Sequence, residues 1–253
     1  VTLAFGVGLA GGCGSSGRST TSRSTGAGGA VTPTQATAYA HAVNLKPGDV
    51  PELTAVGAEK GTSAKQGGEE AARCAGAESR YRRVADVKSA KFGGASASPR
   101  ETMRSEVEVW PTTATAERNA AAELSPRGRA CASHLLERLA IRGMTARVRI
   151  AHVGVAWLPA PLKGPRDAFA ARVTLTVAAE GTRSQPGVSS ATLESRAEGT
   201  RKLQLPVYVD VLGFLSGPAQ ISLTATGLKQ PPSSATEHRV LSLLYSRAQT
   251  HGV

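Results

Sequence analysis

FAARVTLTV, residues 169–177, sets Phe169, Ala171, Val173, Leu175 and Val177 in alternation with Arg172, Thr174 and Thr176. A period of two marks a β-strand, whose successive side chains point to opposite sides of a sheet. The same pattern returns in Leu203, Leu205, Val207, Val209 and Val211, and again in Ala219, Ile221, Leu223 and Ala225. Alternation this regular predicts antiparallel strands with one face on the core and the other toward solvent or a partner. By that parity Asp210, beside Tyr208 and opposite the inward Val209, faces outward. A solvated strand face is its ordinary reading, and the lining of a binding groove the less ordinary one.

Just before these strands, Ala146–Trp157 reads as a long strand whose apolar parity changes from Val148 and Ile150 to Val153, Val155 and Trp157. A one-residue shift inside a strand predicts a β-bulge at Ala151-His152. The polar segment Glu180–Lys202 has no apolar period and separates two strands of an expected hairpin. It reads as a flexible insertion, although long loops also carry function.

Further out, strands are expected at Val50–Val56, Val84–Phe92 and Ser105–Trp110, the last with Ser105, Val107 and Val109 opposing Glu106 and Glu108. Helices are expected at Gln35–Leu45, ended by Lys46-Pro47-Gly48, at Glu69–Arg73, and from Pro111-Thr112-Thr113 to Leu124. Ser125 is placed to cap a further helix running to Leu139, with Pro126 at its first position. Ser234-x-x-Glu237 reads as a capping box that opens the last helix, with Val240, Leu241, Leu243, Leu244 and Ala248 on its buried face. Long runs of strands mixed with helices predict an α+β fold, a largely antiparallel sheet covered by helices, preceded by a signal peptide and a flexible tether.

The N-terminus carries that leader. Residues 1–10, VTLAFGVGLA, are small or apolar and run into Gly11-Gly12-Cys13-Gly14-Ser15-Ser16, the layout of an export signal and its cleavage site. A plainly cleaved secretory signal and a structural apolar segment are the alternatives. Gly6-Val-Gly8-Leu-Ala-Gly11 formally matches the dinucleotide-binding glycine pattern. It lacks the strand, the helix and the later acidic residue that give that pattern physical content. Residues 14–32 are mostly Gly, Ser and Thr and read as flexible coil. The expected organisation is a signal peptide over 1–12, Cys13 and a tether over 13–32, and one α+β domain over 33–253 with an insertion at about 180–202.

Composition narrows the function classes. Of 253 residues 40% are hydrophobic, enough for a core, but only 4% are aromatic, so Ala, Val and Leu must build it. No apolar run reaches the roughly 18 residues of a spanning helix. Three cysteines exclude a disulfide-dense mini-protein and a four-cysteine metal cluster. If Cys13 is lipidated, Cys74 and Cys131 remain, and in an exported protein they can pair, stabilising by roughly 4 kcal/mol in the chain-entropy model. Two free buried thiols are the alternative. Spacings of four and eight put Cys131, Leu135 and Leu139 on one helix face, directing the sulfur into the core.

Chemistry is sparse. His41, His134, His152, His238 and His251 include no pair at the i, i+4 spacing of a helical metal site, and Cys-x-x-Cys is missing. His134 lies three residues after Cys131, where a thiol–imidazole pair competes with an ordinary helix histidine. The hydrolase elbow and the phosphate-binding loop are also missing. No catalytic residue, metal or cofactor is therefore expected, and no enzyme. Thirty basic against nineteen acidic residues give a net charge of +11. Arginine is spread along the chain without the aromatic interleaving that suits base stacking, so nucleic acid is not an expected partner. At a cell envelope the same charge favours anionic lipid headgroups or acidic wall polymers.

The leader resembles a bacterial lipoprotein signal, which implies a lipid on Cys13 and cleavage just before it. Ser105-Glu-Val-Glu-Val-Trp110-Pro-Thr-Thr-Ala, a strand running into an Ala-rich helix and then the Cys131 helix, is similar to small actinobacterial lipoproteins and sensor domains. These include the LpqN-type lipoproteins with a Mog1/PsbP-like fold and the extracytoplasmic domains of PknH-type kinases. Ala38-Tyr-Ala-His-Ala-Val-Asn-Leu45 also resembles exported proteins of high-GC actinobacteria. The resemblance implies ligand or partner binding at the envelope and assigns no site residue. The expectation is a lipid-anchored protein on the outer face of the cytoplasmic membrane or cell envelope, monomeric, binding an apolar, lipid-like or anionic ligand between sheet and helices. The alternative is a protein-binding accessory subunit or sensor of an envelope complex.

Overall fold

The computed structural model describes residues 30–56, 70, 72–77, 83–94, 101–142, 148–165, 167–181 and 201–253. Cys13, the leader, most of the tether and residues 182–200 lie outside the described residues. Of 136–142, 148–149, 179–181 and 201–203 the backbone alone is described, which leaves Leu139 aside.

The chain runs α1 (Pro33–Val43), β1 (Thr54–Ala55), β2 (Ala85–Lys88), β3 (Phe92–Gly93), β4 (Glu101–Val109), α2 (Thr113–Leu124) and α3 (Pro126–Arg142). Then follow β5 (Val148–Leu158), β6 (Phe169–Gly181), β7 (Arg201–Ser216), β8 (Ala219–Leu228) and α4 (Ser234–His251). The strands form one eight-stranded sheet, entirely antiparallel in the described pairings, in the order β1-β3-β4-β8-β7-β6-β5, with β2 also on β4. This is the expected α+β fold.

The strand signals land closely in the second half. The β5–β6 register shifts between Ile150 and His152, where the parity change predicts a bulge. The β6–β7 hairpin pairs Leu175 with Val207 and stays paired out to Gly181 and Arg201, so the expected insertion is shorter than its polar composition indicates. In the first half, strand signals overreach. Val50–Val56 yields only Thr54–Ala55, and Val84–Phe92 breaks into β2 and β3 around Ser89, whose hydroxyl takes the Ser105 N–H at 3.0 Å.

Helices cover both faces. On one, α1 and α4 pack over Met103, Val107, Leu212, Phe214, Ile221 and Leu223 to form the main core. On the other, α2 contacts β7 and β8 while α3 contacts β5. Cover on both faces corrects the sequence parity. Residues of β7 from Asp210 to Leu215 are buried or nearly so on both sides, and Asp210, read as outward, is 1% exposed beneath the first face's helices. Arg172 reaches it from β6 with two hydrogen bonds of 2.7 and 2.6 Å, which makes its burial tolerable.

The α4 start is also different. Ser233, not Ser234, is the N-cap, accepting from Thr236 N–H at 3.4 Å. Glu237 makes no capping box; it is 4% exposed and turns toward Asp210. Burial, then hydrogen bonding to Asp210, pushes its carboxyl up to about 8. A protonated Glu237 can donate to the Asp210 carboxylate that Arg172 already holds. Local spacing read a cap; packing made a buried acid.

Candidate functional site

Helices α2 and α3 meet at Ser125. Its hydroxyl accepts from Gly128 N–H at 3.0 Å and donates to the Ala122 carbonyl at 2.7 Å, ending one helix and starting the next as the Ser-Pro signal predicts. Glycine is required at 128, because a Cβ there would lie 2.3 Å from the Ala122 and Glu123 carbonyl oxygens. The two helix ends therefore touch backbone to backbone, and Ala120 and Ala132, two of the side chains that line the space beneath them beside Glu123 and Leu124, are small.

Opposite them the sheet presents Trp157, Phe169, Leu215 and Gln220, one from each of β5 to β8. The register explains this row: Trp157 pairs with Ala171, Phe169 with Gly213 and Leu215 with Gln220, all on one face. The Phe169 ring lies on Gly213, where an added Cβ would come within 2.6 Å of Cζ. Large groups on the sheet and small ones on the helices leave a partly open cavity of about 140 Å³ between them.

A third side is closed by Ala75, next to Cys74. Cys74 and Cys131 form a disulfide with a Cα–Cα distance of 5.8 Å, pinning this segment to α3. Arg127 Nε adds a hydrogen bond of 2.9 Å to the Cys74 carbonyl. Arg129 caps the outside of the aromatic wall: its guanidinium carbon is 4.4 Å from the Trp157 ring centroid, and its Nε donates to the Leu124 carbonyl at 2.9 Å. The cystine thus frames the cavity, and His134, beside Cys131 in sequence, is exposed.

Glu123, Asp167 and Gln220 are the polar and charged side chains lining this mostly apolar space. Gln220 is 8% exposed, and its Nε2 donates to Glu123 at 3.3 Å, but its Oε1 has no hydrogen-bond partner among the described residues. A buried acceptor left without a donor costs about 1–3 kcal/mol. Beside the cavity, sharing Asp167 and Leu215, lies a second and more polar hollow of about 300 Å³ that adds Thr113, Glu117, Ser216 and Gln249. Asp167, at the junction, holds a left-handed φ of 53°, which Asp tolerates better than most side chains.

Two other groupings were candidates. Asp86, Glu106 and Glu108 place carboxylate oxygens within 4.8 Å of one another. Basic side chains already answer them: Arg83 pairs with Glu108 and, at 3.3 Å, with Asp86, while Lys88 pairs with Glu106 at 3.3 Å. Burial and the charges of Glu108 and Asp86 push the Glu106 carboxyl up to about 7. The five histidines are all exposed.

Sequence patterning flagged Cys74 and Cys131 correctly as partners but not the residues around them. Trp157 and Phe169 read only as core positions, and Gln220, out of phase with Ala219 and Ile221, is not singled out by the alternation. Nothing local signals that α2 will cover it. No protein-family model matches the chain, and no curated protein matches it. Among solved structures, the extracellular domain of PknH from Mycobacterium tuberculosis is similar over 88% of this chain and 99% of that one, at 10% identity and a TM-score of 0.43.

Proposed function

We propose that this protein is an exported, lipid-anchored binding protein of the cell envelope whose ligand enters the cavity between α2, α3 and the sheet. The observation that carries the reading is the cavity itself, a mostly apolar hollow lined in part by Gln220, whose buried Oε1 has no partner among the described residues. Concave apolar sites with a few converging polar groups are where small molecules bind. Export is supported by the leader before Cys13 and by the disulfide, which persists in oxidising compartments. Among the described residues no helix is long and apolar enough to cross a membrane. The lipid on Cys13 supplies the anchor in this reading; Cys13→Ser then moves the protein from the membrane fraction to the medium, and unchanged partitioning defeats the anchor.

The test of binding is native mass spectrometry of the full-length protein after export. The expected spectrum shows an adduct lost on gentle activation and missing from Ala132→Leu, which fills the cavity. A bare chain, or an adduct that survives Ala132→Leu, overturns the reading. Weight then moves to a protein-binding subunit using the polar strand face of β5–β7, where His152 and Ala156 are exposed beside Thr174 and Tyr208.

A further inference from the structure

We propose that the cavity selects a small organic cation: one aromatic ring, or an alkyl group of that bulk, carrying a hydrogen-bond donor. This deepens the binding reading above and rests on it. Size comes first. A cavity of about 140 Å³ matches the dry cavity of roughly 150 Å³ that accommodates benzene, and it cannot swallow a long acyl chain. Its walls suit a ring, with Trp157 and Phe169 on the sheet and Leu124 and Leu215 beside them.

Polarity comes second. Gln220 lines the cavity and its Nε2 is committed to Glu123; its Oε1, buried at rest and without a partner among the described residues, is the acceptor a guest would reach by turning the amide. A guest with an N–H or O–H satisfies it, whereas an acceptor-only guest leaves it stranded without a donor.

Charge comes third, and it runs against the rest of the molecule. The chain carries +11, yet the charged residues lining this cavity are Glu123 and Asp167, and those lining the adjoining hollow are Glu117 and Asp167. Among the described residues, neither lining contains a Lys, Arg or His. Arg129, outside the cavity, lies on Trp157 with its Nε on the Leu124 carbonyl. Acidic side chains at a recess concentrate cations and repel anions, and because Asp167 and Glu117 are solvent-exposed the effect is one for low salt. The anionic ligand suggested by the basic composition does not fit this recess; an ammonium on a ring does, with the ring in the apolar cavity and its charge toward Asp167 and Glu117.

Four probes of nearly one size separate these contributions: toluene, benzyl alcohol, benzylammonium and benzoate, titrated into the full-length, disulfide-bonded protein and read by ligand-observed NMR. The expected order is benzylammonium, benzyl alcohol, toluene, benzoate, with benzylammonium at least about tenfold tighter than benzoate at low salt, as one added favourable charge contact allows. Gln220→Leu is expected to bring benzyl alcohol down to the level of toluene. Should that variant not fold, Asp167→Asn decides, because Asn accepts the same left-handed backbone. It is expected to weaken benzylammonium several-fold and leave benzyl alcohol unchanged. Benzoate binding as tightly as benzylammonium, toluene equalling benzyl alcohol, or no effect of Asp167→Asn overturns the selectivity while the cavity reading stands. No binding by any of the four overturns the cavity reading with it.

Discussion

The two faces of the sheet are packed by opposite choices of side-chain size. Under α1 and α4, Phe214, Ile221 and Leu223 are fully buried and meet Val43, Val240, Leu241 and Leu244, large groups on both sides. Under α2 and α3 the sheet is equally bulky, with Trp157, Phe169 and Leu215, but beside Glu123 and Leu124 the helices answer with only Ala120, Gly128 and Ala132. Interiors are close-packed, so a mismatch in size must appear as a hollow. The solid face supplies stability and the hollow one the candidate site.

The first way to break the contrast is Phe214→Ala. The ring is fully buried and meets Tyr245 edge to face at 5.3 Å, so its removal is expected to cost about 3–5 kcal/mol in urea unfolding. Leu215→Ala, one residue along on the hollow face, is expected near the lower end of the roughly 2–5 kcal/mol range for Leu→Ala, because the space it vacates joins an existing cavity. Equal costs would mean the two faces are packed alike.

Next in size is Ser105→Ala on the solid face. The Ser105 hydroxyl donates to Asn44 at 2.6 Å and accepts the Leu45 N–H at 2.9 Å, while Asn44 Nδ2 donates to the Val87 carbonyl at 2.8 Å. Losing the centre of this buried network is expected to cost about 1–3 kcal/mol in the same assay. A cost near zero would show that the face tolerates an open polar group as the hollow one does at Gln220.

A pH series sharpens the comparison further. Glu237 is held neutral by burial and by its hydrogen bond to Asp210, with its carboxyl at about 8, above the ordinary 4.5. The native state therefore holds a proton that the unfolded chain loses first, and stability falls as pH climbs from about 4.5 through about 8. Glu106, on the other face, acts with the same sign up to about 7. At the acid end Asp49 works in reverse. Partial burial opposes its ionisation, but Arg247 and the Lys46 N–H outweigh that and hold its carboxyl below the usual range, so stability is lost as pH falls through it. Glu237→Gln keeps a donor toward Asp210 and is expected to raise Tm at pH 8.5 by roughly 2–4 °C or more, corresponding to about 1 kcal/mol, with little change near pH 4.5. An unaltered slope would place the proton elsewhere.

Smallest in stability is Ala132→Leu, which fills the hollow and is expected to change ΔG by less than about 1.5 kcal/mol while abolishing small-molecule binding. A severe loss of stability would show that the cavity is already full.

Much of this was legible. Alternation in 169–177, 203–211 and 219–225 identified the antiparallel strands, the parity change at Ala151 located the bulge, and Ser125-Pro126 marked the junction of α2 and α3. These features come from Cβ geometry and backbone chemistry within a few residues, which sequence carries directly. Asp210 and Glu237 were misread, and Gln220 passed over, for one shared reason. Alternation tells which residues share a face, but not what covers it, and α4 and α2 reach those faces from distant parts of the chain.

By itself, then, the sequence determined the strands, their antiparallel pairing, the helix junction and the availability of Cys74 and Cys131 for each other. The tertiary structure alone decided that both faces are covered, that Asp210 and Glu237 are buried together, and that small helix residues stand opposite Trp157 and Phe169 to leave a cavity. Local pattern is encoded residue by residue, whereas a cavity is the volume left over between elements, a sum no single segment contains.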